Sequence, residues 1–396
     1  LADGVLSAYV ETTLLSLSRR YQNGKSVAST EVGVVDSTPA FWHLPQQPST
    51  NRKKTFVYSV PFVVNRCSQY FTMSRLRHFS YYLILAALLL CALGAHAQNR
   101  ELLGEYRIGM VGRDQGNAIY QATHLGAQDA ARDLSEQYSI DVELLDFTPN
   151  VEHGGSQSAS LAGLFIENAD GFIISPAEPE VIRSSIEFAL EQEQEVVFFE
   201  NQIAEIQSLA AYIADEAAAG RLAAEALLTA LPSKGRVAIL VSNHPSLGMQ
   251  DRLVGARAAL GYRRIEAVVS CAPDYQSAIE TIRATQEADH NDLIKGWLFL
   301  GDWPLLGMPA LPWKPGELPC VAIQSSPSAF MYIDQGYVSA LIVHPYYDWG
   351  KLSMTALVNK LHKQQTPAER IQHNAPRVID WRNLESYRES WKTWLK

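Results

Sequence analysis

From Gly104 onward the chain alternates short unbroken runs of Val, Ile, Leu and Phe with longer stretches of helical apolar period, and it does so in two successive series. Consecutive apolar positions are required of a strand buried on both faces, the condition met in a parallel sheet covered by helices on either side. In the first series, 106–111, 142–147, 171–175, 195–200 and 209–213 read as strands, with helices over 118–134, 158–168 and 180–192. A helix over 216–231 opens the second series. Its strands are 236–241, 265–271, 296–300, 320–324 and 340–343, alternating with helices around 250–260, 275–288 and 327–335. The expected fold class is α/β, with two doubly wound parallel-sheet lobes in tandem. A helix at 349–362, a polar loop, a strand at 377–379 and a last helix from Leu384, with Asn383 as its N-cap, remain over. Elements left after two complete sheets imply that the chain crosses back between the lobes.

Ahead of this pattern, residues 73–97 have the three parts of a secretory signal. Arg75 and Arg77 supply the cationic start, Tyr81 to Leu93 the apolar core, and Ala95-His96-Ala97 the small-residue cleavage site. The core is shorter than the roughly twenty residues of a membrane anchor. Cleavage is expected before Gln98, which places the mature chain outside the cytoplasm. An export signal is read at an N-terminus, so residues 1–72 are expected to be a non-native upstream extension.

Of 33 Lys and Arg, nine precede Gln98, and of 42 Asp and Glu, four do. The remainder carries a formal charge of about −14. An acidic chain without a basic cluster is a poor ligand for nucleic acid, whose binding comes from neutralising phosphates. About 300 residues exceed what one core usually serves, so two domains are expected. Cys271 and Cys320 alone remain after cleavage. In a 2-1-3-4-5 sheet they would end the second strand and begin the fourth, too far apart for a disulfide, so two free buried thiols are expected.

Five segments, in order, carry a resemblance to a known family. Asp170-Gly171-Phe172-Ile173-Ile174-Ser175-Pro176-Ala177-Glu178-Pro179-Glu180 resembles the D-G-I-I-I-S-P-x-D-P-x signature of type I periplasmic solute-binding proteins, the ribose- and galactose-binding group. Asp215-Glu216-Ala217-Ala218-Ala219-Gly220-Arg221-Leu222-Ala223-Ala224-Glu225 resembles its D-N-x-x-A-G-R-L-A-A-E helix start. Gly235-Arg236-Val237-Ala238-Ile239-Leu240 and Gln250-Asp251-Arg252-Leu253-Val254-Gly255 resemble its G-K-V-A-I-L and E-R-x-x-G elements, and Pro345-Tyr346-Tyr347-Asp348-Trp349-Gly350 its P-Y-x-x-G turn. The resemblance spans about residues 105–395. It implies two lobes joined by a three-crossing hinge, 104–214 plus 345–375 and 215–344 plus 376–396, closing on a small polar ligand. That agrees with the general rule that open α/β sheets bind ligands beyond the carboxyl ends of their strands.

Sugars are held by flat aromatic faces and by planar polar groups that pair with neighbouring hydroxyls. After the first strand, the resemblance offers Asn117 and Tyr120, the latter either stacking on ligand or packing on its own lobe. After the fourth strand come Glu200 and Asn201, where a buried carboxylate needs a partner. Asp215 matches a family Asp and is equally an N-cap. Arg252 matches the cleft arginine, whose fork can hold two ring oxygens. Tyr275 matches a second stacking aromatic, and Asp302, Trp303, Gln324 and His344 follow later strands. Gly301, Gln324 and His344 depart from the family pattern, which argues against the common ribose, glucose and galactose pockets.

Glu200 and Asp302 could form a glycosidase pair, but nothing in the sequence sets their separation. With no nucleophile elbow and no metal-ligand spacing, neither an enzyme nor a cofactor is expected. The resemblance implies a monomeric receptor of a sugar or sugar-like polyol that hands it to ABC transporter permease subunits. The alternative is a sensor subunit signalling to a membrane histidine kinase or chemoreceptor. Sugar-responsive repressors share the fold but carry a DNA-binding segment in place of an export signal.

Overall fold

The computed structural model describes residues 102–244, 246–307, 311–324 and 326–395. The expected signal at 73–97, its cleavage site before Gln98 and the segment 1–72 lie outside the described residues. Strands β1 (Glu105–Val111), β2 (Asp141–Asp146), β3 (Gly171–Ile174), β4 (Glu195–Glu200), β5 (Ala210–Ala214) and β11 (Ile371–Asn374) form one sheet, in the order β11-β5-β4-β3-β1-β2. Strands β6 (Arg236–Ser242), β7 (Ile265–Cys271), β8 (Ile294–Phe299), β9 (Cys320–Ile323), β10 (Ala340–Val343) and β12 (Arg377–Ile379) form the other, in the order β12-β10-β9-β8-β6-β7. Both sheets follow the 2-1-3-4-5 order with one strand added at the edge. Every pairing is parallel except β10 with β12, where Leu341 faces Ile379.

The chain passes between the sheets three times, after β5, after β10 and between β11 and β12. Strand β11 falls in what the sequence reads as a polar loop. Ile-Gln-His-Asn carries one apolar side chain, and the strand forms at a sheet edge by pairing its backbone with Ala211 to Ala214 of β5. Apolar periodicity is blind to such a strand.

Helices α1 (Ala118–Tyr138), α2 (Gly154–Ile166), α3 (Pro179–Glu191), α4 (Glu216–Ala230), α5 (Leu247–Leu260), α6 (Tyr275–Ala288), α7 (Phe330–Asp334), α8 (Tyr346–Lys363) and α9 (Leu384–Trp394) complete the described layers. The helix expected over 327–335 is a 3-10 turn at Pro327–Ala329 followed by the short α7. Asn383 occupies the N-cap position of α9 but does not cap it. Its amide instead accepts from the Asp380 N–H at 2.8 Å and donates to the Val378 carbonyl at 2.9 Å, closing the turn before the helix.

In each lobe one pair of helices crosses almost backbone to backbone. A Cβ on Gly220 of α4 would lie 1.9 Å from the Arg252 carbonyl oxygen of α5, and one on Gly255 of α5 would lie 1.9 Å from that of Ala217. Gly126 of α1 and Gly350 of α8 repeat the arrangement in the other lobe, against Tyr347 and Thr123. Three glycines of the family-like motifs are therefore architectural. The Gly220 and Gly255 contact also fixes the depth at which α5 presents Arg252. Helix α9 spans the remaining gap with aromatic rings, Tyr387 and Trp391 on Phe330, Trp391 on Tyr346, and Trp394 stacked on Tyr347 at 5.7 Å. Cys271 and Cys320 are free and buried, as the strand order requires.

Candidate functional site

Strand β4 ends in a carboxylate held in an uncommon backbone conformation. Glu200 has φ 65°, and Gln324, at the equivalent place after β9 in the other lobe, has φ 64°. A non-glycine residue in the left-handed region costs on the order of 1–3 kcal/mol and persists where its surroundings hold it there. For Glu200 the surroundings are three donors: Arg113 Nη2 at 2.7 Å, Tyr120 Oη at 2.8 Å and Ser175 Oγ at 2.7 Å. These come from the carboxyl ends of β1 and β3 and the first turn of α1, so they gather at one end of the sheet. Burial works against the Arg113 charge, but Glu200, Tyr120 and Glu152 more than offset it and raise its pKa. Burial likewise lifts the Tyr120 hydroxyl well above the usual phenol range, so it stays a donor.

The second lobe has its own charge cluster. Arg252, 6% exposed, gives both arms of its fork to Glu216, at 2.5 Å from Nε and 2.6 Å from Nη2, and its Nη1 to the Leu300 carbonyl at 2.8 Å. His344 Nε2 lies 3.3 Å from the same carboxylate. Burial alone would raise the Glu216 pKa, yet Arg252 and His344 hold it well below the carboxylate range. Asp302, after β8, accepts from the Ser326 N–H at 3.1 Å. Burial pushes its carboxyl up to about 6, with Ser326 and the Arg252 charge pulling the other way. Arg252 also feels the Glu200 carboxylate of the first lobe, so the two clusters are within electrostatic reach of each other.

The other expected residues fall into two groups. Asn117 and Asp215 serve as N-caps of α1 and α4, accepting from the Ile119 N–H at 3.0 Å and the Ala218 N–H at 2.8 Å. Tyr120 is 3% exposed with its ring edge-on to Phe199, packed on its own lobe. Trp303 is buried and folds over Gly301, and the Tyr275 ring covers Gly307. The second group keeps unused polar capacity. Asn201 donates from Nδ2 to the Pro176 carbonyl at 3.1 Å, and the buried His344 stacks on Trp349; among the described residues the buried Asn201 Oδ1 and His344 Nδ1 have no partner.

The Arg252 fork, expected to hold two ligand oxygens, is occupied by Glu216. Of its five N–H donors, two remain. Arg113, Ser175, Glu216 and Ser326 were not among the expected site residues. Glu216 had a signal, since it stands where the D-N-x-x-A-G motif has Asn, and a charge in that place asks for a counter-charge. A separate cavity of about 320 Å³ lies between α1, the end of β2 and the tail residues Trp394 and Leu395, sharing only Tyr120 with the charge clusters. Among the described residues no group of three or more His, Cys, Asp or Glu is placed to hold a metal ion.

The model of the periplasmic binding protein domain matches residues 108–365. The chain belongs to the periplasmic binding protein family. Solved structures agree on the fold. A sugar-binding protein of a sugar ABC transporter from Bacillus halodurans is similar with a TM-score of 0.63 and 18% identity, covering 71% of this chain and 99% of that one. A periplasmic ribose ABC transporter protein from Conexibacter woesei gives 0.62 and 19%, covering 73% and 97%. An ABC transporter solute-binding protein from Burkholderia graminis, solved with D-arabinose, gives 0.60 and 18%, covering 71% and 97%. No curated protein sequence matches the chain.

Proposed function

We propose that this protein is a periplasmic receptor, exported by the segment 73–97, that captures a small sugar or sugar-like polyol between its lobes and delivers it to the permease of an ABC importer. The observation that carries the reading is a pair of charge clusters within electrostatic reach of each other, Glu200 with Arg113 on one lobe and Arg252 with Glu216 and Asp302 on the other. Both are assembled at the carboxyl ends of parallel strands, where open α/β sheets bind ligands. Planar charged groups fixed by their own partners do not have to be ordered when ligand arrives, which lowers the cost of binding. Glu200, Asn201, Arg252, Asp302, Gln324 and His344 line the ligand in this reading. Asn117, Tyr120, Asp215, Tyr275 and Trp303 shape the walls. The chain acts as a monomer without catalysis, and hinge closure carries the signal to the permease.

A thermal-shift screen of the purified protein against pentoses, hexoses, amino sugars and polyols tests this. A ligand bound only by the folded state adds about 2.7 kcal/mol of stability at a hundredfold excess over Kd, so a true ligand raises the melting temperature in a saturable way. A flat response across the whole panel would overturn the reading.

A further inference from the structure

The charges of the proposed cleft do not cancel, and what is left over is negative. Arg113 is taken up by Glu200, by Glu152 at 3.1 Å and by the Tyr120 hydroxyl. Arg252 is taken up by both oxygens of Glu216. Asp302 is the remaining carboxylate. Its hydrogen-bond donors are the Ser326 backbone, the Ser326 hydroxyl and its own backbone N–H. All three are neutral, and among the described residues no Lys or Arg nitrogen forms an ion pair with it, so its charge has no counter-ion.

One more acceptor stands at the end of a cleft-side strand. The Asn201 amide is oriented by its bond to Pro176, which makes the atom unpartnered among the described residues the oxygen. A hydroxyl brings one donor and two acceptor lone pairs, whereas a protonated amine brings three donors and none. We propose that the ligand carries a protonated amine, as an amino sugar or amino polyol does, with Asp302 as its counter-ion. This rests on the sugar-receptor reading above and narrows it. The same inventory turns away sugar acids and sugar phosphates, because both arginines are already neutralised.

The test is isothermal titration of the purified protein at pH 7.0 with matched pairs: D-glucosamine and D-glucose, D-galactosamine and D-galactose, D-mannosamine and D-mannose, D-glucamine and D-sorbitol. In a pair that binds, the amine member is expected to bind at least about tenfold tighter, the scale of one charge-assisted hydrogen bond. Asp302→Asn brings that ratio towards one. With its carboxyl near 6, Asp302 also predicts that the preference shrinks as pH falls from 7 to 5. The charged group that acts on it is Arg252, to which Glu216 and His344 are tied and which Glu200 also reaches, so persistence of the pH dependence in Asp302→Asn would reassign it. A neutral member binding as tightly as its amine partner overturns the inference and leaves sugar capture standing. If no member of any pair binds, and the wider screen is also flat, both fall. The wild-type ratio and its pH dependence decide the matter even if the variant does not fold.

Discussion

Replacing Glu216 by Gln should destabilise the protein strongly although it changes only a charge. The carboxylate receives two hydrogen bonds from Arg252 and lies beside His344. The side chains are 7% exposed for Arg252, 14% for Glu216 and 2% for His344, so solvent screens the group little. Gln keeps one acceptor oxygen but leaves a buried guanidinium without a counter-charge. Breaking a buried pair in this way costs about 3–5 kcal/mol, and the surviving acceptor places the expected loss near the lower figure. At about 2 °C per kcal/mol for a chain of this size, the melting temperature should fall by about 6 °C.

The pH dependence supplies an independent check. The fold depresses the Glu216 pKa below its ordinary 4.5, so its contribution is fully present above that value and is lost as pH falls towards the folded-state pKa. The gap between wild type and Glu216→Gln, followed by tryptophan fluorescence on heating, should be constant from pH 7 to pH 5 and narrow steadily in more acid solution. Replacing both partners by apolar residues, Glu216→Leu with Arg252→Met, should recover much of the loss, because neither charge is then stranded. A variant that melts within 1 °C of wild type at pH 7, or a gap that does not narrow in acid, would refute the pairing.

Gly220→Ala places a methyl 1.9 Å from the Arg252 carbonyl oxygen, and overpacking of this kind costs about 1–3 kcal/mol or more. It should lower the melting temperature and weaken ligand binding together, and an unchanged melt would mean the helices are not in that contact. Arg252→Lys retains the charge but cannot hold both Glu216 oxygens and the Leu300 carbonyl, so ligand affinity should fall about tenfold or more. Arg257→Lys, on the exposed face of the same helix, is the control, and equal affinities in the two variants would remove Arg252 from the site. Thiol titration after periplasmic export should find two equivalents in denatured, unreduced protein, from Cys271 and Cys320; fewer would mean that they are oxidised. Small-angle scattering at saturating ligand should show a smaller radius of gyration, and no contraction would count against hinge closure.

The strands were legible because burial on both faces writes itself as a run of apolar residues. Phe172 to Ile174 and Val196 to Phe199 are wholly buried, and their sequence leaves no polar position for solvent to wet. Order within the sheet followed from general rules for parallel crossovers. What escaped was held by backbone alone, as in β11, or by side chains acting locally, as in Asn383. Its amide closes the preceding turn instead of capping α9, and Asn in that position is compatible with either use.

The site was less legible, and for a different reason. Its decisive contacts join residues far apart in sequence: Arg113 to Glu200, Glu216 to Arg252, and Glu216 to His344. Residue types at one position say that a charge needs a partner, but the partner is chosen by the fold. Arg252 illustrates the consequence. Its place in the E-R-x-x-G element implied a fork open to ligand, and the neighbouring Gly255 does bring its helix to the depth at which the fork reaches the cleft end of the sheet. The same close approach brings Glu216 within 2.6 Å, so a substitution at the Asn position of the preceding motif changes what the arginine can do without changing the arginine. In the proposed reading, ligand preference would be carried by the charge that remains after the internal pairs have formed, on Asp302, outside every motif that the chain shares with its family.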